Sequence, residues 1–202
     1  MNTKYEFTGE TKIVYGRTLH RIKAIVAIGA TVDPGDIGGW IENENNLLVY
    51  GNAWVYGDAR VSDNAIVCDN ARVYGNALVC DNAKVSGDAR VYGNAMVCGN
   101  ALVCGNALVY GDAIVCDNAM VSGDARVSGD TDYMTFKNSW SSGRWFTYTS
   151  SNKKWKVGCF YGTGEELVRK AYSDSELSGK CYEAIVRAVE TIEEAKKSEV
   201  KE

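Results

Sequence analysis

The sequence predicts a mainly β chain, with a long regular parallel β-coil in its middle, an N-terminal β cap before it and a small α+β appendage after it. Three observations carry this reading. Val49 through Asp132 divides into fourteen consecutive six-residue units, each opening with Val. Outward residues eighteen apart fall into chemically distinct columns. After Asp132 the units stop and nine aromatic residues follow between Tyr133 and Tyr161. The expected segments are therefore 1–48, 49–132 and 133–202.

Within each unit the third position is Gly or Asp, the fourth Asn or Asp, and the fifth Ala, except for Thr131 in the last unit. Gly and Asn tolerate positive φ, so each such pair makes a tight corner. The residues from Ala to the one after Val then form a short strand. Side chains alternate along a strand, which turns Ala and Val inward and their neighbours outward. A narrow Val/Ala core results.

The units resemble the hexapeptide-repeat family. That resemblance implies a left-handed parallel β-helix, three strands and eighteen residues to each triangular coil. With strands about 4.8 Å apart, fourteen units make four to five coils, a prism roughly 22 Å long. The N-terminal segments HRIKAIVAIG, GDIGGWIENENNL and GNAWVYGDA resemble the start of YdcK-like hexapeptide proteins, including those of phages and prophages. Such proteins are loosely called acetyltransferases on the strength of their fold.

Both ends of a coil need covers, because open strand edges invite further pairing. At the N-terminus a hairpin is expected from Tyr5–Phe7 and Ile13–Tyr15 around a GET turn, followed by a longer strand over 19–28. At the other end, strands are expected near 133–139, 144–149 and 155–160. Thr163 and Glu166 form a capping-box pattern that opens a helix, and a second helix carries Tyr182, Ile185, Val189 and Ile192 as one apolar seam. That seam packs on its own sheet or meets symmetry mates; the spacing allows both.

The outward columns differ in chemistry. The first face carries Trp54/Tyr56, Arg72/Tyr74, Arg90/Tyr92, Leu108/Tyr110 and Arg126/Ser128. This tyrosine ladder beside arginines either stabilises the stacked coils or receives an anionic or planar partner through Tyr56, Arg72, Tyr74, Arg90, Tyr92 and Tyr110. The second face carries Arg60/Ser62, Leu78/Cys80, Met96/Cys98 and Ile114/Cys116. Its apolar character points to self-association through Leu78, Cys80, Met96, Cys98, Ile114 and Cys116, joined by Ile185 and Val189 of the last helix. A homotrimer is expected, a dimer next. The third face is apolar but interrupted by Lys84. In the appendage, Trp140, Arg144, Trp145 and Trp155 belong either to a small aromatic core or to a recognition surface.

Composition narrows the chemistry. The 202 residues are 46 % apolar with net charge −4, distributed as −1, −5 and +2 over the three segments. A general nucleic-acid binder would need a basic surface instead. The start MNTKYEFTGETK lacks the basic-then-apolar order of a secretory signal and no run reaches transmembrane length, so a cytoplasmic chain without a membrane partner is expected. Seven cysteines with no zinc spacing read as reduced thiols. The stacked Cys80, Cys98 and Cys116 suit neither disulfide geometry nor tetrahedral metal binding.

Hexapeptide acyltransferases use a histidine base between subunits. Here the single histidine, His20, falls in the cap, and no insertion interrupts the fourteen units. His20 is thus the one weak catalytic candidate, and loss of such a base removes about 10² to 10⁴ in rate. The expected function is a non-catalytic oligomeric binding or scaffolding protein, without cofactor or metal. The phage resemblance implies an anti-defence or accessory role in the host cytoplasm, exerted on a protein or a small anionic ligand. The alternative is a divergent acyltransferase that takes acyl-coenzyme A at subunit interfaces.

Overall fold

The computed structural model describes residues 2–199 and divides into two compact units, the first ending at Asp132 and the second beginning at Tyr133. The first is a β-solenoid with three parallel sheets. One sheet stacks Trp54–Val55, Arg72–Val73, Arg90–Val91, Leu108–Val109 and Arg126–Val127. The second stacks Arg60–Val61, Leu78–Val79, Met96–Val97 and Ile114–Val115, and the third runs from Leu47–Gly51 to Met120–Val121.

Strands pair with those eighteen residues away: Arg90 lies opposite both Arg72 and Leu108, and Met96 opposite both Leu78 and Ile114. Amide donors reach the next coil throughout, as in Arg72 N to Ala89 O at 2.9 Å and Asn76 N to Gly93 O at 2.8 Å. The inward Val and Ala side chains from Ala53 to Val127 are at most 1 % exposed. With such small core residues, the coils approach closely and the corners become the tightest points.

The corners show why Gly and Asp recur there. Asp63, Asp69, Asp81 and Asp117 hold φ near +60°, a region that short polar side chains tolerate. Asp81 Oδ2 accepts from Gly99 N at 2.9 Å and Asp69 Oδ2 from Gly87 N at 3.0 Å, so these corner carboxylates tie one coil to the next. Asparagines at the fourth position form amide ladders as well: Asn64 to Asn82 to Asn100, with 3.1 Å at each step.

The cap departs from the expected hairpin. One long strand, β1 (Tyr5–Val14), pairs antiparallel with β2 (Arg17–Ala24). Gly9 lies in a bulge between Phe7 and Thr11 rather than in a turn, and the chain reverses at Tyr15–Gly16, where φ is 51° and 78°. Positive φ at both central residues matches the twist of the flanking strands. β2 ends at Ala24, short of the expected long strand, and Ile28 bridges to Val32. From there β3 (Ile37–Ile41) joins the second sheet beside Arg60–Val61, so the cap and the coils share one seven-stranded sheet. Gly38 and Gly39 permit this approach. A Cβ on Gly38 would lie 2.5 Å from Ile22 Cγ1 and 2.7 Å from the Trp54 ring.

Two further corrections concern the first coil. Leu47, fully buried, sits opposite Val67, and a bulge over residues 48–50 leaves Val49 only half-buried. The extra residues shift alternation, so Val49 does not fill the core as the repeat predicts. Trp54, expected outward, is 2 % exposed because the cap covers it, with Tyr5 edge-on at 6.3 Å.

The second unit is a four-stranded antiparallel meander of Tyr133–Lys137, Trp145–Thr149, Lys154–Val157 and Phe160–Gly162, the last strand being one more than expected. Two helices, α1 (Gly164–Asp174) and α2 (Glu176–Glu199), complete it. Thr163 caps α1: Thr163 N donates to Glu166 Oε2 at 2.7 Å and Glu166 N to Thr163 Oγ1 at 3.2 Å. These bonds satisfy orphan amides of the first turn. Phe146, Tyr148, Trp155, Val157, Leu167, Val186 and Val189 form the core.

Candidate functional site

On the first face the tyrosines form a continuous stack. Ring centroids are 5.0, 4.8 and 5.3 Å apart from Tyr56 through Tyr74 and Tyr92 to Tyr110, with planes within 10° of parallel. Each interior ring therefore has both faces against another ring. A planar partner therefore has no open ring face at Tyr74 or Tyr92: among these four, only the end rings keep a face free of another tyrosine. Burial, ahead of the neighbouring Tyr56 and Tyr92, pushes the Tyr74 phenol above its ordinary value, which keeps it neutral at physiological pH.

The cap turns part of this face into a groove. The loop at Gly29–Thr31 stands beside Asn52, Asn70, Asp88, Tyr56, Tyr74, Arg72 and Arg90 around a hollow of about 480 Å³. A second hollow of about 370 Å³ adjoins it and shares Thr31, Tyr56 and Arg72, with Val32, Asp36, Ile37 and Trp54 as further walls. Arg72 Nη1 donates to Thr31 Oγ1 at 2.7 Å, which fixes that guanidinium to the loop. Arg90 is exposed, and its guanidinium makes no hydrogen bond or ion pair among the described residues. Asn52 donates to Asn70, and Asn70 to Asp88 Oδ1, each at 3.1 Å, so the groove floor is a polar ladder ending on a carboxylate.

Thr31, Asn52, Asn70 and Asp88 were not singled out by the sequence pattern. The eighteen-residue column 52–70–88 is visible in the repeat, but the loop that faces it lies outside the repeat and carries no periodic signal.

The second face has two halves along one row of the seven-stranded sheet. Arg21, Trp40 and Arg60 are cross-strand neighbours, and Arg60 continues to Leu78, Met96 and Ile114. In the cap half, Lys12 Nζ lies 4.1 Å from the Trp40 ring centroid and Arg21 Cζ 4.9 Å from it. Arg17 pairs with Asp63 and with Glu42, the latter at 3.4 Å. In the coil half, Leu78, Met96, Cys80, Cys98 and Cys116 are half-buried, and Ile114 is 37 % exposed. The hairpin tip at Val14–Arg17 stands over a hollow with Leu78 and Cys80, leaving Met96, Cys98, Ile114 and Cys116 as the open part.

Two thiols of that column, Cys80 and Cys98, are poor nucleophiles. Burial first, and Asp81 second, pushes the Cys80 thiol up to about 12, and Cys98 is raised by burial and by Cys116. All seven cysteines are free, and among the described residues no group of His, Cys, Asp and Glu could hold a metal ion. His20 lies in β2, half-buried, its ring 4.8 Å from that of Phe7. Its cross-strand partners are Thr11 and Ile41, neither an activated nucleophile.

In the second unit, two of the expected surface residues are interior. Trp155 is 2 % and Val189 1 % exposed, both inside the unit's own core, so neither has surface to offer a partner. Three of the four seam residues of α2 pack on the unit's own aromatic sheet: Val189 lies in its core, Tyr182 meets Phe146 at 4.7 Å and Trp140 at 6.0 Å, and Ile185 packs partly against the same cluster, while Ile192 is 41 % exposed. Trp140 is half-buried there. Trp145 is half-buried with Lys137 Nζ 5.8 Å from its ring, and Arg144 is exposed. No helix among the described residues is long and apolar enough to cross a membrane.

A family model, the YdcK β-solenoid repeat, matches residues 53–69, 67–81, 83–99, 89–104, 101–117 and 115–129. No curated protein matches the chain.

Proposed function

From a chain whose residues 53–129 are YdcK β-solenoid repeats, we propose a non-catalytic binding protein that self-associates through the second face of its solenoid. The observation that carries this reading is the open apolar half of that face, Met96, Cys98, Ile114 and Cys116 in register on adjacent strands. Apolar surface of this kind is commonly covered by a partner. A homotrimer satisfies it with a dimer as the simpler arrangement, and the prism then presents its first-face groove and its second unit to a protein or a small anionic ligand.

The non-catalytic part rests on chemistry. The repeats run without an inserted loop, burial holds the Cys80 and Cys98 thiols protonated, and His20 packs against Phe7 within the cap. The resemblance of the N-terminal segments to phage and prophage hexapeptide proteins supports an accessory, anti-defence kind of role in a host cytoplasm. Titration calorimetry with acetyl-coenzyme A separates this from an acyltransferase. Absence of heat at millimolar donor, with no thioester loss, is expected. Saturable binding accompanied by thioester cleavage overturns the non-catalytic reading.

A further inference from the structure

We propose that the first-face groove is a binding site for a nucleoside monophosphate, the phosphate held between Arg72 and Arg90 and the base lodged against the free end of the tyrosine stack. The inference rests on the binding reading above and names the ligand class of its groove.

Three observations converge on this chemistry. Arg72 and Arg90 occupy the same position on adjacent strands, one coil apart, about 4.8 Å. Two guanidiniums that line one hollow from adjacent strands can address the three terminal oxygens of a phosphate monoester, whereas a carboxylate offers two. Arg72 is already oriented by Thr31, and Arg90 has no partner of its own among the described residues. The anion site is thus half preorganised and half uncommitted.

The second observation is the aromatic end. Tyr56 has one ring face on Tyr74 and begins the stack. It also lines the adjoining hollow with Ile37, which is 50 % exposed and gives a flat base an apolar wall. The two hollows meet at Tyr56, Arg72 and Thr31, so a base in one and a phosphate in the other belong to a single molecule. Stacking on an aromatic end is tolerant of base identity.

Third, the charge is modest. Asp88 in the phosphate hollow and Asp36 in the base hollow oppose the two arginines. That balance suits one phosphate group and disfavours a triphosphate. Asn52 lines the phosphate hollow beside Gly29 and donates its amide to Asn70, so its carbonyl oxygen is the group it can offer a ribose hydroxyl or an exocyclic amine.

Calorimetry on the full chain with adenosine 5′-monophosphate, adenosine and inorganic phosphate tests the site. Saturable binding of the monophosphate is expected, at least about tenfold tighter than either fragment, and weakening with salt. Arg90→Gln should reduce affinity at least about tenfold, because a charge-assisted hydrogen bond is lost. Tyr56→Ser should weaken binding, whereas Tyr110→Ser, which shortens the same stack at its other end, should not; matching circular dichroism spectra confirm that each variant is folded. No saturable heat with folded wild type, undiminished affinity in Arg90→Gln, or equal loss in Tyr56→Ser and Tyr110→Ser overturns the site. The self-association reading is unaffected by any of these outcomes, since it is read from sedimentation and not from ligand heat.

Discussion

The ring of Tyr74 lies 4.8 Å from that of Tyr92, with their planes 2° from parallel. Tyr74 also stacks on Tyr56, so it contributes two ring contacts while Tyr110 contributes one within the ladder. Aromatic pairs add about 0.5–1.5 kcal/mol each beyond their buried area. Tyr74→Ser is therefore expected to lower the melting temperature by roughly twice as much as Tyr110→Ser, measured by calorimetric scans of the two variants. Equal losses would remove the ladder from the account of stability.

Glycines with positive φ, at a coil corner and in the cap, should differ according to what lies beside them. Gly93 has φ +75°, and a Cβ there would sit 2.9 Å from Gly111 N and 3.0 Å from its carbonyl oxygen. Gly35 has φ +96° with nothing within 4 Å. Gly35→Ala should cost about 1–2 kcal/mol of backbone strain. Gly93→Ala adds the clash and should cost clearly more in denaturant melts.

Cys80 supplies a pH dependence. Its folded thiol is pushed up to about 12 from an ordinary value of 9.0. The folded state thus holds its proton longer than the unfolded state. The associated stability is fully present below pH 9 and is lost as pH rises from there towards 12. Cys80→Ala should flatten that decline in melting temperature. In alkylation followed by mass spectrometry at pH 8, the exposed Cys159 should react well ahead of Cys80 and of the buried Cys68.

The second unit should respond through its own core. Phe146 is fully buried among Trp155, Tyr182 and Val189. Phe146→Ala should cost about 3–5 kcal/mol. Val189→Asp places a carboxylate in the same cluster and should abolish the near-ultraviolet signal of this unit.

The coils were legible in the sequence because a six-residue pattern of Val, Ala and corner residues leaves no other burial scheme. The eighteen-residue columns placed Arg72 beside Arg90 and Met96 beside Ile114 as the strand pairing has them. What resisted reading lay where periodicity stops. The run LLVY alternates equally well in either register, and only the bulge against Val67 decides that Leu47 is the core residue. A tyrosine with φ 51° at the hairpin turn carries no strong local signal. The groove depends on a loop folding back over the first face, a long-range contact through Arg72 and Thr31, 41 residues apart, that no local pattern announces. On α2, seam spacing alone could not distinguish an internal partner from an external one; the aromatic sheet takes Tyr182, Ile185 and Val189 and leaves Ile192 exposed.

The self-association claim is tested most directly by sedimentation velocity at micromolar concentration, comparing wild type with Met96→Glu. Wild type is expected to sediment as a multiple of the 22.0 kDa chain, threefold for the trimer, and the variant, with a charge set between Leu78 and Ile114, to shift to the monomer while its circular dichroism is retained. A wild type that sediments as a monomer, or a Met96→Glu variant that stays assembled, would contradict it.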